Sequence, residues 1–350
     1  MTELDATIFS QANEIVQRRF RYTDSEKVPI SELKRLCVVK TYEMITNGYL
    51  LDERYPPKNK EEGGAPSQQE ELFDLASKKI KLPSLPSIFT QIVTLMGTPN
   101  SSATDFAEVI RMDPPLAAKI LKLVNSSFYG LRHRVDTVSS AVSVVGTKAL
   151  YALVLGMSVI NTFKHIPDEF VDLTSFWRHS IACGIIAKRL SGYLNFSETE
   201  RFFVAGLLHD IGRLIVYNYL PFRAKEAFTL SFDNDEPLYR SEERVLDHDH
   251  GRFGGLLLKF WKLPDILVDM VMFHHHPMKA RHKKEVAVIH LADIITNGMR
   301  FGTSGERFVP DLNIDAWKLV EIPVAYFETL FEIIQSEVIE ISRIVSQDTR

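Results

Sequence analysis

Apolar and charged positions alternate at helical spacing through residues 1–54, with Leu4, Ile8, Ile15 and Val16 on one stripe. This predicts an N-terminal helical unit of two short amphipathic helices. The pattern breaks over residues 55–69, where Pro56-Pro57, the charged run Lys58 to Glu62, Gly63-Gly64 and Pro66-Ser67 stay solvated and read as a linker. Helical periodicity resumes near Glu70, is punctuated by Pro83 and Pro86, and continues almost without strand signals to the C-terminus. Val138 to Leu155 is rich in Val, but its Ala and Leu content and its length fit buried helices better than a strand pair. A short polar interval, Lys164 to Leu173, divides a body spanning 70–300 into lobes at 70–172 and 173–300, followed by a helical extension at 301–350. No solenoid period is present, so the expected fold is an all-α, two-lobed helical bundle.

Two segments carry local detail. Asp113 caps a helix with Pro114 at its first position, and Leu116, Ile120, Leu121 and Val124 form one apolar face. At the far end Phe327, Phe331, Ile334, Val338, Ile341 and Val345 make a heptad stripe. It either docks on the chain's own helical body, beside Trp317, or forms a homodimer seam.

With 350 residues and 45% hydrophobic content, the chain can bury a sizeable core. Lys+Arg of 41 against Asp+Glu of 45 leaves a net charge of -4, which argues against duplex nucleic acid as a partner. The longest apolar stretch, Ala152 to Ile160, is interrupted by Gly156 and Ser158 and falls well short of the ~20 residues a spanning helix needs, so no membrane span is expected. The N-terminal residues lack signal-peptide character, which makes a cytoplasmic location the expectation. Cys37 and Cys183 are the only cysteines, so any metal must rely on His and carboxylates.

Seven of the eleven histidines (His179, His209, His248, His250, His274, His275 and His276) fall between residues 179 and 276. Imidazole together with carboxylate suits iron, manganese or zinc. Ser197-Glu-Thr-Glu200 has the form of a capping box that starts a helix near residue 198 and carries it towards His209-Asp210. Adjacent residues on a helix point about 100° apart, so His209 and Asp210 can share an ion only in a cleft that other helices complete. His179 and Asp293 are candidates for that completion. Each residue also has a structural alternative: a hydrogen-bonded core pair for His209-Asp210, a carbonyl-bonded ring for His179, and a cap or surface bridge for Asp293. Asp247-His248-Asp249-His250 fits an exposed turn with His250 turned to the site, and His274-His275-His276 ends a helix whose dipole favours imidazolium.

The chain resembles the HDOD family, the HD-related output domain of bacterial signalling proteins, over roughly residues 79–277. The resemblance rests on Leu82-Pro-Ser-Leu-Pro86, Ile110-Arg-Met-Asp-Pro-Pro-Leu-Ala-Ala-Lys-Ile-Leu121, Val124-Asn-Ser-Ser-Phe-Tyr-Gly130 and Ala141-Val-Ser-Val-Val-Gly146. It continues in Phe176-Trp-Arg-His-Ser180, Ala205-Gly-Leu-Leu-His-Asp-Ile-Gly212, Phe260-Trp-Lys-Leu-Pro264 and His274-His275-His276-Pro277. It implies an all-α domain distantly similar to HD-superfamily metal-dependent phosphohydrolases. Their ligand order, a His, a His-Asp pair and a distant Asp, is matched by His179, His209, Asp210 and Asp293, with His209 and Asp210 as the catalytic pair. His250, His274 and His275 stand where related cyclic-dinucleotide phosphodiesterases place ligands for a second ion. The Gly-Tyr-Pro motif of those enzymes is absent, which argues against cyclic di-GMP hydrolysis.

Two functions follow as expectations. One is a regulatory module that contacts a signalling protein. The other is a hydrolase of a nucleotide or phosphate ester, with Arg111, Lys119, Lys122 or Arg213 available to neutralise phosphate.

Overall fold

In a computed structural model, residues 3–47, 83–84, 86–97, 102–163, 166–167 and 169–346 are described, and no strand occurs among them. The expected 55–69 linker lies outside these residues.

The N-terminal helices, α1 (Glu3–Arg19) and α2 (Val28–Thr46), pack on each other. The next run is α3 (Ser87–Gly97), α4 (Ala103–Arg111), α5 (Pro114–Val124), α6 (Val138–Val145) and α7 (Thr147–Thr162). Asp113 caps α5 by accepting from Leu116 N at 3.0 Å, with Pro114 at the first helical position. The Val-rich stretch forms the helices α6 and α7, bent by 119° at Gly146, and no single helix among the described residues is long and apolar enough to cross a membrane.

The remaining helices build the histidine-rich half. They are α8 (Leu173–Tyr193), α9 (Glu200–Leu208), α10 (Ile211–Tyr219), α11 (Pro221–Asp233), α12 (Leu238–Leu246), α13 (His250–Phe260), α14 (Asp265–Met272) and α15 (Lys283–Met299). After α15 the chain runs irregularly to α16 (Ile314–Val320) and then α17 (Tyr326–Ser346). Helix α8 is the hub: it packs against α9, α15 and α17 and is buried along most of its length, because Phe176, Trp177, Ile181, Ile185, Ile186 and Leu190 give it apolar faces all round.

The extension differs from an all-helical one, since residues 301–313 are not helical and lie against the body. Val309 N donates to Arg19 O at 2.8 Å, Lys27 Nζ to Leu312 O at 3.2 Å and Arg19 Nη1 to Gly298 O at 3.1 Å. The N-terminal helices and the 301–313 segment therefore brace α15 together. The heptad stripe of α17 is buried within the chain, with Ile334 and Ile341 at most 1% exposed and α8 and α5 as its neighbours. That is the docking arrangement, and a dimer using the same stripe would first have to pull it from this bed.

Candidate metal centre

The His209-Asp210 pair falls between two helices, with His209 ending α9 and Asp210 opening α10. The helix before it begins at Glu200, close to the expected start, but no capping box forms: Thr199 occupies the cap position and makes no side-chain cap bond. The two acidic residues are used elsewhere. Glu198 pairs with Lys148 and Arg201, and Glu200 pairs with Lys188 at 2.7 Å.

Two close helix crossings deliver the ligands. A Cβ at Gly206 would lie 2.7 Å from Gly184 Cα, so α8 and α9 touch backbone to backbone and His209 is carried to His179. A Cβ at Gly212 would lie 1.9 Å from His250 O and 2.6 Å from Gly254 N, so α10 and α13 meet equally closely and Asp210 is carried to His250. Only glycine permits either approach.

Four of the expected residues converge in one buried group. His179 Nε2 lies 3.3 Å from His209 Nε2, 3.4 Å from Asp210 Oδ2 and 3.5 Å from Asp293 Oδ1. His209 Nε2 lies 3.2 Å from Asp210 Oδ2 and 3.3 Å from Asp293 Oδ1. The other three form a second group: His250 Nε2 is 3.2 Å from His274 Nε2 and 3.3 Å from His275 Nε2. Asp210 belongs to both groups, since its Oδ1 lies 2.7 Å from His250 Nε2 and 3.9 Å from His274 Nε2. All seven expected site residues are thus brought together.

The ring orientations test whether the donor set fits a metal. His209 Nδ1 bonds Gly206 O and His274 Nδ1 bonds Val271 O, both at 2.7 Å. A carbonyl only accepts, so each Nδ1 carries a proton and each Nε2 offers its lone pair whenever the ring is neutral. His250 Nδ1 is held in the same way by Glu242 Oε2 at 2.5 Å. Lone pairs facing one another repel unless a proton or a cation lies between them. Donors about 2.0–2.2 Å from a tetrahedral ion stand about 3.3–3.6 Å apart, close to the spacing of the first group. The His and Asp groups could therefore hold metal ions.

Charge is managed by a shell that the motifs did not reveal. Arg213, 1% exposed, has Nε 3.7 Å from both Asp210 Oδ1 and Glu242 Oε1, and Nη2 3.5 Å from Glu306 Oε2. Three buried carboxylates thus flank its guanidinium. Glu306 is fixed by Leu238 N at 2.9 Å, Arg307 N at 2.8 Å and Phe308 N at 3.1 Å. The same loop binds α8, where Thr303 N donates to Ser175 Oγ at 3.1 Å, and α10, where Tyr217 Oη donates to Ser304 O at 2.8 Å.

Burial opposes ionisation of Asp210 and Asp293, but the neighbouring imidazoles, with Arg213 beside Asp210, hold both carboxyls well below the usual range. Burial likewise opposes charge on His250, yet Glu242 and Asp210 prevail and push it up to about 9. Burial, reinforced by the cation-prone rings beside it, drives His274 down to about 3 and His275 well below its ordinary value.

The remaining histidines take other roles. His248 is exposed, and His276 Nε2 pairs with Glu243 Oε1 at 2.7 Å. His290 is consumed by the fold, its Nδ1 against His274 O at 2.8 Å and its Nε2 accepting from Asn313 N at 3.0 Å. Cys183 is a buried thiol whose ionisation burial disfavours, as a small core residue should be.

An uncharacterised protein of Treponema pallidum (strain Nichols) is 24% identical over 206 residues, 58% of this chain, and the match spans only 39% of that longer protein. An HDOD domain protein of unknown function from Geobacter sulfurreducens superposes with a TM-score of 0.63 at 21% identity, covering 80% of this chain and 97% of that one. A candidate phosphohydrolase from Shewanella amazonensis SB2B superposes with a TM-score of 0.64 at 22% identity, covering 79% and 98%. The HDOD domain profile itself matches residues 82–277, more than half of the sequence, and the chain belongs to the HDOD family.

Proposed function

We propose that this chain is a regulatory module of bacterial signalling that acts through contacts with a partner protein and holds one to two transition ions, iron, manganese or zinc, in its histidine-rich lobe. His179, His209, Asp210 and Asp293 hold the first ion, and Asp210, His250, His274 and His275 hold the second. The observation that carries the metal reading is the convergence of Nε2 atoms, with the Nδ1 positions of His209, His250 and His274 already engaged, the arrangement by which outer hydrogen bonds orient metal-ligating imidazoles. The regulatory reading draws on membership of the HDOD family and on the burial of the ligands, of which only His275 is partly exposed.

A second reading, a metal-dependent phosphohydrolase of a nucleotide or phosphate ester, is favoured by Asp210. Its two oxygens face different groups, the arrangement of a two-metal site. An ion held there supplies Lewis acidity towards a phosphoryl oxygen. The chain's own part is to orient the rings through Gly206 O, Glu242 and Val271 O, to hold Asp210 ionised and to keep the groups from bulk water.

Metal analysis of protein produced with iron, manganese and zinc supplied, followed by turnover assays on cyclic and linear nucleotides, tests both readings. One to two ions without turnover supports the module, and negligible metal rejects the centre. Turnover that Asp210→Ala abolishes makes the chain an enzyme first. Cyclic di-GMP is expected to be hydrolysed slowly or not at all.

A further inference from the structure

A cleft of about 1060 Å³ lies between α5, the loop at residues 131–136 and α17, on residues that supply none of the metal-group ligands. Its walls combine aliphatic surface from Leu121, Leu131, Ile339 and Ile344 with the basic side chains of Lys122, Arg134 and Arg343 and the ring of His133. This local basic character stands against a whole-chain net charge of -4. Two carboxylates, Glu340 and Asp136, also line the cleft. Glu340 is occupied, since Oε2 accepts from Ser127 N at 3.0 Å and from Ser127 Oγ at 2.5 Å. Among the described residues His133, Arg134 and Arg343 make no ion pair, so these three side chains are not consumed internally.

The cleft is held in shape from beneath. Asn125 Nδ2 donates to Leu121 O at 2.8 Å and to Val135 O at 2.7 Å, while Val135 N donates to Asn125 Oδ1 at 2.8 Å. The 131–136 wall is therefore fixed to the end of α5 before anything binds, which lowers the ordering cost of binding. The Ser127–Glu340 bonds fix α17 to the same helix end.

We propose that this cleft binds a small phosphate-bearing organic anion of nucleotide size. Its volume lies just above the range of about 300–1000 Å³ usual for small-molecule sites. Arginine pairs with phosphate through two parallel N–H donors, and Arg134 from the 131–136 loop and Arg343 from α17 both bring that chemistry to the cleft. The aliphatic surface between them suits the non-phosphate part of the ligand. A bound anion would join α5 to α17, and α17 packs on α8, the helix that carries His179. The site thus offers an input separate from the metal centre, and the inference does not depend on the metal reading.

Calorimetric titration of the full chain with ATP, GTP and inorganic tripolyphosphate tests it. Saturable binding of at least one probe is expected, weakened at least tenfold in Arg134→Glu and in Arg343→Glu and largely retained in Arg134→Lys. Circular dichroism and metal content should stay at wild-type values in all three variants. Nucleotides binding at least tenfold more tightly than tripolyphosphate would identify a nucleotide as the source, and equal affinities would identify a phosphate-rich metabolite without a base. The inference is overturned if no probe binds at millimolar concentration, if the Glu variants bind like wild type, or if the cleft takes only an acidic peptide such as oligoglutamate.

Discussion

The group around His179 and the group around His250 share Asp210, but they are enclosed differently. The first is built on α8, the α9–α10 junction and α15, contains two carboxylates, and has every ligand residue at most 3% exposed. The second is built on α13 and the turn after α14, has three imidazoles and one shared carboxylate oxygen, and opens on the side of His275, whose ring stacks on Tyr239 with centroids 4.3 Å apart. Two carboxylates neutralise a divalent ion, whereas one shared oxygen leaves excess positive charge. The first group is accordingly suited to retaining an ion, and the second to exchanging one and attracting an anion.

The contrast is tested most severely by His209→Ala against His275→Ala. Removing His209 leaves Asp210 and Asp293 facing each other without a metal, so loss of both ions and about 3–5 kcal/mol of stability is expected. His275→Ala should lose the second ion only and unfold within about 1 kcal/mol of wild type once both proteins are stripped of metal. Equal metal loss in the two variants, measured by elemental analysis and urea denaturation, would erase the distinction.

Gly212→Ala acts at the crossing that carries Asp210 to His250. A methyl there must push α10 from α13, with an expected cost of about 1–3 kcal/mol and loss of the second ion while the first is kept. Retention of both ions would show that the crossing can widen without moving Asp210 from His250.

Glu306→Gln reaches the same group from further away. It weakens the anchoring of Arg213 between Asp210 and Glu242, and second-ion affinity should fall about tenfold, with about 1–3 kcal/mol of stability lost because the amide NH2 must face a backbone N–H that the carboxylate now accepts from. Competition with a fluorescent chelator measures this, and affinity within twofold of wild type would show that Arg213 holds its place without Glu306.

The smallest effect is that of pH. With the His250 pKa pushed up to about 9, that ring carries a proton at neutral pH, and an ion entering the second group must displace it. Affinity should therefore rise with pH from 6 to 8 by about tenfold per unit for one proton released. His274 and His275, already neutral in this range, add no slope. A pH-independent second affinity would mean that the His250 ring is neutral before loading.

Much of the fold was legible because it depends on short-range signals. Asp113-Pro114 set a helix start whatever lay beyond it, and the composition of Val138 to Leu155 was enough to favour helices over strands. That seven residues would gather was legible because imidazole and carboxylate recur at positions that a family resemblance could order; that they bind metal is the proposal. The capping box at Ser197 misled because its acidic residues are drawn off by Lys148, Arg201 and Lys188, partners distant in sequence or on the neighbouring turn. Arg213, Glu242 and Glu306 were illegible as a shell, since nothing local links three charged residues spread over 94 positions. Only Gly212, beside the pair, left a trace: its lack of a side chain is what the crossing requires.

The loop carrying Glu306 lies beyond residue 277, where the family match ends, and so does Asp293. The stretch that marks ancestry is therefore smaller than the stretch that must cooperate to fold. A protein cut at residue 277 would keep six of the seven ligands and every recognisable motif. It would still lack the carboxylate that closes the first group and the segment that ties α8, α10 and α12 together. A stable fragment should consequently run on through α17, whose stripe is buried on α8 and α5, rather than stop at the edge of sequence similarity, and limited proteolysis should release no stable fragment ending near 277.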